Sequence, residues 1–280
     1  MKIYSGFTFY NEFDLLELRL REMYNYVDYF IIVEANCTFT SCPKSFNLET
    51  QWDRYAPWQD KIRYVKVTDM PNTGDAWANE TYQRNQIMQG CTDAAPNDII
   101  IIGDVDEILR PEALEFVRQE TQQVYPFRMP LFNFKFNYML TQADFHVVWP
   151  IGIRRELLDN LTPDNLRRGR HGLNNTAECV DHSGWHFTWF GDNNFVQDKL
   201  RSFSHTEANR PEVTEQVSVE TSIAEGLSVN RTEKYVHFER VRMDSYMPKT
   251  ITDNLEQYTD YILPDAEHSA LDFLPAWQYN

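Results

Sequence analysis

The sequence predicts an α/β fold built on a central, mostly parallel sheet flanked by helices, with mixed strands added to it. Three observations predict this. The first half alternates short β-branched runs with stretches of helical period, the pattern of strands joined by crossover helices. The run Ile99-Ile100-Ile101-Ile102 is wholly apolar, as a strand buried on both faces must be. From residue 126 the pattern turns aromatic and strand-rich, which adds antiparallel or mixed strands.

The elements follow in order. Residues 2–9 read as the first strand. Asn11 can cap the next helix, whose Leu15, Leu16, Leu18, Leu20 and Met23 make a broad apolar face. Residues 28–34 and 62–67 read as buried strands. A helix over 77–90 stops at Gly90 and sets Glu80 one turn from Arg84, where the two can pair. After the 99–102 strand, Pro111 opens a short helix to Gln119. Strands are expected within 126–140 and over 145–153, and residues 162–176 have loop composition. Residues 184–190 read as a strand, 193–203 and 252–261 as helices, and the end after Leu263-Pro264 as a docked tail. No linker divides the chain, so one domain over 1–280 is expected, with 211–280 a C-terminal helical region.

Composition excludes several classes. Against 42 Asp and Glu stand 26 Lys and Arg, a net charge of −16 over 280 residues, so no broad basic face exists for nucleic acid or anionic lipid. At 42% hydrophobic and 14% aromatic, the chain has ample material for a packed core. The longest apolar runs, 29–33 and 99–102, fall far short of the roughly 20 residues that span a bilayer. Glu12 and Asp14 interrupt the start before any secretory signal could form, and a cytoplasmic location is expected. Cys37, Cys42, Cys91 and Cys179 show no metal-like spacing and read as reduced thiols. The sequons at Asn36, Asn79, Asn160, Asn174 and Asn230 are then fortuitous.

Chemistry is expected at Asp104-Val105-Asp106-Glu107, directly after the apolar strand, since ligands of open α/β sheets bind beyond the carboxyl ends of strands. Three adjacent carboxylates repel one another and need a positive partner. A divalent cation such as Mg²⁺ or Mn²⁺ is one; the other reading is a solvated acidic turn ahead of the Pro111 helix. Residues 182–192 gather Trp185, Trp189, His182, His186 and Asp192. Aromatic faces beside polar groups suit sugar rings, but alternation also lets Trp185, Phe187 and Trp189 pack in a core while His186 points the other way. Asp192 is either a helix cap or a base. Arg167, Arg168 and Arg170 form a basic cluster, followed by Lys199, Arg201, His205 and Glu207. Surface acids or a nucleotide diphosphate would pair with them.

Several blocks, in this order, resemble glycosyltransferase family 17. They are Asn11-Glu12-Phe13-Asp14-Leu15-Leu16, Val27-Asp28-Tyr29-Phe30-Ile31-Ile32-Val33-Glu34, Gln83-Arg84-Asn85, Ile102-Gly103-Asp104-Val105-Asp106-Glu107, Gly184-Trp185-His186-Phe187-Thr188-Trp189, and Lys199-Leu200 with Ser204-His205-Thr206-Glu207. The resemblance covers most of residues 1–210. It implies a GT-A-like nucleotide-sugar transferase fold, with 1–125 the donor-binding half and 126–210 the acceptor and catalytic half. It further implies an inverting mechanism and a UDP-sugar donor, most often UDP-N-acetylglucosamine. A divalent cofactor, Mn²⁺ or Mg²⁺, would sit on Asp104 and Asp106, with His205 completing its shell. Donor contacts would come from Glu12, Glu34, Arg84, Asn85, Asp104, Val105, Arg167, Arg168, Arg170 and Lys199. Asp192 or Glu207 would be the base, with His186 beside it, and Trp185 and Trp189 would shape the acceptor cleft. With no lumenal signal, the acceptor expected is a glycan precursor, a glycolipid head group or a protein side chain. A metal-dependent phosphohydrolase and a non-catalytic carbohydrate-binding protein are the alternatives. The first would call for more His and Asp ligands to hold two metals, and the second leaves the strand-end carboxylates unexplained.

Overall fold

The computed structural model describes residues 1–71, 73–141, 148–173, 178–214, 218–229 and 237–274. Outside them lie the start of the strand expected from 145, the end of the expected 162–176 loop, the sequon residues Asn174 and Asn230, and the end of the expected tail. The strands are β1 (Ile3–Thr8), β2 (Tyr29–Ala35), β3 (Ile62–Val67), β4 (Ile99–Asp104), β5 (Glu107–Leu109), β6 (Val124–Arg128), β7 (Leu131–Asn133), β8 (Tyr138–Leu140), β9 (Val148–Arg154), β10 (Gly184–Thr188) and β11 (Phe238–Arg240). The helices that bear on the site are α1 (Phe13–Met23), α2 (Asn47–Thr50), α3 (Ala76–Asn85), α4 (Pro111–Gln119), α5 (Pro163–Leu173) and α6 (Asn193–Ser202).

A six-stranded sheet has the order β3-β2-β1-β4-β9-β6. Its first four strands are parallel, and β9 and β6 add antiparallel pairs. Alternate residues of the parallel strands face two separate cores. Phe30, Ile32, Ile99 and Ile101 join α1 and α4 on one side, while Ile31, Val33, Ile100 and Ile102 meet the 3-10 turn Gln86–Cys91 and Leu166 of α5 on the other. This is why the strands read as unbroken apolar runs. Each fully buried Ile or Leu contributes about 1.5–3 kcal/mol relative to exposure.

Of the later strands, β6 and β9 extend this sheet as the sequence predicts, but the others do not, and form a second, five-stranded one with the order β11-β8-β7-β10-β5. The chain turns at residues 104–107 and commits β5 to β10 instead of to β4. Four local expectations also change. Glu12, not Asn11, stands at the cap of α1, because the Asn11 amide donates to Asp198 Oδ2 at 3.1 Å. The α-helix expected through Gly90 ends at Asn85 and continues as a 3-10 turn, where Gly90 serves close packing, since a Cβ there would clash with Ile31. The expected 252–261 helix is a short turn Lys249–Thr252 and a 3-10 segment Leu255–Tyr261, parted at Asn254, whose amide donates back to the Thr250 carbonyl.

Residues 162–173 are a helix, not a loop. Pro163 takes the first helical position, the Thr162 carbonyl accepts from the Leu166 N–H, and Thr162 Oγ1 accepts from the Asn165 N–H. Pro163 and the pair Asn174-Asn175 gave the segment its loop-like composition, but capping and the buried Leu166 outweigh it. The four cysteines form no disulfide. No helix among the described residues is long and apolar enough to cross a membrane.

Candidate functional site

Strand β1 leads outward to β2 and β3, while its other neighbour, β4, begins the opposite half of the sheet. Chain order thus reverses between β1 and β4, the place where open α/β sheets leave a crevice beyond their strand ends. Thr8 of β1 pairs with Asp104 of β4 there. Above them opens a cleft of about 980 Å³, lined by Phe9, Tyr10 and Glu12 after β1, Asp104, Val105 and Asp106 after β4, and residues of α3, α5, α6 and the second sheet.

The acidic turn is held by buried cations. Asp104 accepts from Arg84 Nη2 at 3.1 Å and Arg167 Nη2 at 2.6 Å. Burial would raise its pKa, but these guanidinium groups outweigh that and hold the carboxyl well below the usual range. Glu107 is fully buried, accepts the Asp104 N–H at 3.0 Å and pairs with Arg167. Burial still pushes its carboxyl up to about 7. Asp106 differs: its side chain is only 8% exposed, yet its nearest partners among the described residues are Lys199 Nζ at 3.5 Å and the His186 ring Nε2 at 3.6 Å. Below the turn, the Arg19 guanidinium donates to the carbonyls of Asp104 at 3.1 Å and Glu107 at 2.6 Å and to Ser5 Oγ at 2.9 Å, with Phe7 against its face.

The cations arrive on two helices. Asp75 caps α3 by accepting the Trp77 N–H, and Arg84 from the end of α3 also pairs with Glu80 and Asp164. Asp164 in the first turn of α5 binds Arg84 at 2.7 Å, Arg168 at 2.5 Å and Thr81 Oγ1 at 2.9 Å, which sets the face of α5 that carries the arginines. Arg168 stacks on Trp77. Arg170 lies over Trp149 and donates to the Arg167 carbonyl, but it has no carboxylate partner among the described residues, and burial lowers its pKa to about 10. Lys199 comes from α6 and lies over Trp189. His186 packs edge-on to Trp149, and burial lowers its pKa to about 4, so its ring is neutral near pH 7.

Of the residues expected from the sequence, Glu12, Arg84, Asp104, Val105, Asp106, Arg167, Arg168, Arg170, His186, Trp189, Lys199 and His205 line this one cleft. The others stand elsewhere. Glu34 is buried behind it, accepting from Lys44, Tyr64 Oη and the N–H groups that open α2. Asn85 accepts the Asp164 N–H and so positions α5. Trp185 turns into the core and donates its indole N–H to the Tyr246 carbonyl, because alternation along β10 gives the cleft to His186 instead. Asp192 caps α6 by accepting the Phe195 N–H and lines a second cavity of about 380 Å³. Glu207 is exposed and pairs with His205 Nδ1 at 2.6 Å, while His205 packs against Trp77 at the cleft wall. Sequence reasoning missed Arg19 and Asp164. Arg19 left a signal, a cation set within the apolar face of α1.

Could this cleft hold a divalent cation? Among the described residues no three His, Cys, Asp or Glu side chains gather as a ready-made metal cage. Hard cations nonetheless bind through one or two carboxylates and substrate phosphates. Asp106 fits that role, being buried with no partner closer than 3.5 Å among the described residues. Asp104 would have to share its oxygens with Arg84 and Arg167.

The sequence model of glycosyltransferase family 17 matches residues 1–268 of this chain. The rat (Rattus norvegicus) and human (Homo sapiens) proteins named beta-1,4-mannosyl-glycoprotein 4-beta-N-acetylglucosaminyltransferase are each 26% identical to it over 134 residues, 45% of this chain and 25% of theirs. The match thus spans about a quarter of those relatives' length. The crystal structure of the glycosyltransferase GlyE of Streptococcus pneumoniae TIGR4 aligns with a TM-score of 0.34 at 10% identity, covering 64% of this chain and 45% of that one.

Proposed function

The chain belongs to glycosyltransferase family 17, and from that premise we propose that its cleft moves a sugar from a UDP-sugar to a hydroxyl acceptor, with inversion and with a divalent cation. The observation that carries this is the gathering of Arg84, Arg167, Arg168, Arg170 and Lys199 about Asp104 and Asp106, in a chain of net charge −16. A cation cluster in so acidic a protein calls for an anionic ligand, and a nucleotide diphosphate matches its charge. The relatives' name favours N-acetylglucosamine as the sugar moved. The acceptor would be a hydroxyl of a glycan, a glycolipid or a protein side chain.

Arg170, which has no carboxylate partner among the described residues, binds a phosphate oxygen directly, and Arg167 and Arg168 orient the neighbouring ones. Asp106, with help from Asp104, would hold Mn²⁺ or Mg²⁺, which would supply positive charge where the departing diphosphate gains negative charge. Lys199 meets the same developing charge from α6. Neutral His186 offers a ring N–H to a donor oxygen without adding charge. Trp189, in the cleft wall beside Lys199, gives the sugar an aromatic face. Attack by the acceptor on the face opposite the diphosphate inverts the anomeric carbon and needs a carboxylate to take the proton.

Thermal unfolding with UDP, UDP-N-acetylglucosamine, UDP-glucose and UDP-galactose, each with Mn²⁺ and with EDTA, tests this. A ligand at about 100 times its Kd stabilises by about 2.7 kcal/mol, so the melting temperature should rise by roughly 5–10 °C with Mn²⁺. Arg170→Met should weaken UDP about tenfold, and Asp106→Asn should abolish the effect of Mn²⁺. No shift with any nucleotide, or a shift insensitive to both substitutions, would sink the assignment.

A further inference from the structure

The second cavity is bounded by the start of α1, the start of α6 and the segment near Tyr261. Among the described residues it shares one with the cleft, Glu12, which therefore borders both. Phe13, Phe195 and Tyr261 give the cavity apolar faces, and Asp192, Asp260 and Lys135 give it polar edges. Asp192 uses Oδ1 for the helix cap, and its Oδ2 has no hydrogen-bond partner among the described residues. Tyr261 stacks on Phe190 and donates its hydroxyl to Asp14 at 2.7 Å, so this wall is fixed. Flat apolar faces with carboxylates at their edge suit the C–H face and hydroxyls of a pyranose, and about 380 Å³ is room for a ring or two.

Among the described residues four carboxylates line the cleft. Glu80 pairs with Arg84, Asp104 with Arg84 and Arg167, and Asp106, the residue that would hold the cation, lies beside Lys199 at 3.5 Å. Glu12 has no ion pair among the described residues. Its Oε2 accepts the N–H groups of Tyr10 at 3.0 Å and Asn11 at 3.1 Å, which fixes the side chain, while Oε1 accepts no hydrogen bond among the described residues. Burial raises its pKa, with Lys199 opposing, so it is a stronger base than a solvated carboxylate. Resting on the transferase reading above, we propose that the second cavity binds an acceptor sugar and that Glu12 takes the proton of the acceptor hydroxyl. In the step, the acceptor oxygen bonds to the anomeric carbon of the donor, and the bond from that carbon to the β-phosphate oxygen breaks. The bonding pair leaves on UDP, and the acceptor's proton moves to Glu12 Oε1.

Glu12→Gln keeps an oxygen for the two N–H groups and removes the base. UDP release from UDP-N-acetylglucosamine, with water as acceptor, should fall by about 100-fold or more, while the Kd for UDP stays within about threefold of wild type. A rate within about threefold of wild type, or a UDP affinity that falls in step with the rate, overturns the role, the second result making Glu12 a donor contact. For the cavity, methyl α-mannoside and N-acetylglucosamine serve as probes in saturation-transfer NMR on protein loaded with UDP and Mg²⁺. At least one should give signal, lost in Phe195→Ala and reduced in Asp260→Asn, with UDP affinity retained as proof of folding. Signal unchanged in both variants, or none from either sugar, overturns the cavity assignment. A wild type that binds no UDP overturns the transferase reading itself.

Discussion

Arg19 is the side chain on which the carboxylate turn rests. Its guanidinium is fully buried and donates to the carbonyls of Asp104 and Glu107, where the chain leaves one sheet for the other. Burial lowers its pKa to about 10, still high enough to keep it charged at neutral pH. Arg19→Met should cost about 3 kcal/mol in urea unfolding, since it strands buried acceptors and leaves Glu107 short of positive charge. Arg19→Lys should recover part of this, and a cost below about 0.5 kcal/mol for Arg19→Met would show that the turn holds without it. At this scale the sequence was informative where a residue's chemistry is local. Asp104 and Asp106 could be picked out because three acids directly follow an apolar strand. Asp192 could not be separated from a helix cap, because the cavity it faces is built from segments at residues 11–15 and 260–261 that only the fold brings near.

Helix α5 is the element that turns a basic stretch into a site. As a loop it would offer three arginines in many directions; as a helix tied at Asp164 it fixes Arg167 and Arg168 at the end of β4. Burial would raise the Asp164 pKa, but the hydrogen bonds from Arg168, Arg84 and Thr81 prevail and lower it. A carboxylate lowered on folding stabilises above its unfolded pKa of about 3.9, and that stability is lost as pH falls through the folded value. Asp164→Asn should therefore cost about 2 kcal/mol at pH 7, where the charged hydrogen bonds are intact. The gap to wild type in urea unfolding should close below about pH 4, and a gap that persists in acid would mean the charge is not what α5 needs. Strands and α4 could be read from sequence because pattern and punctuation agreed there. In α5 composition and capping disagreed, and its anchors lie on another helix, with Asp164 80 residues from Arg84.

At the scale of the whole molecule, the two sheets meet at the acidic turn. Asp104 ends β4 in one sheet, Glu107 begins β5 in the other, and Arg167 pairs with both. A donor held by Arg167, Arg170 and Lys199 would tie both sheets together. Hydrogen exchange with UDP and Mn²⁺ should slow over 104–109, 163–173 and 193–203, and leave the edge strands β3 and β6 unchanged. Protection confined to one sheet would show that the donor does not bridge them. The division into two sheets was hidden in the sequence because the pairings of β10 with β5 and of β7 with β10 join segments far apart in the chain. Arg19 and Arg84 precede the acidic turn in the order of synthesis, but two of its other cations follow it. Arg167 follows Asp104 by 63 residues and Lys199 follows Asp106 by 93. At about 5–20 residues per second, a ribosome leaves the carboxylates without these two partners for several seconds. Until α5 and α6 emerge, Asp104 has, among the described residues, Arg84 alone as an ion-pair partner while Asp106 and Glu107 await Lys199 and Arg167, so the growing chain can form β1 to β3 early but cannot close over the site until nearly three-quarters of it has been made.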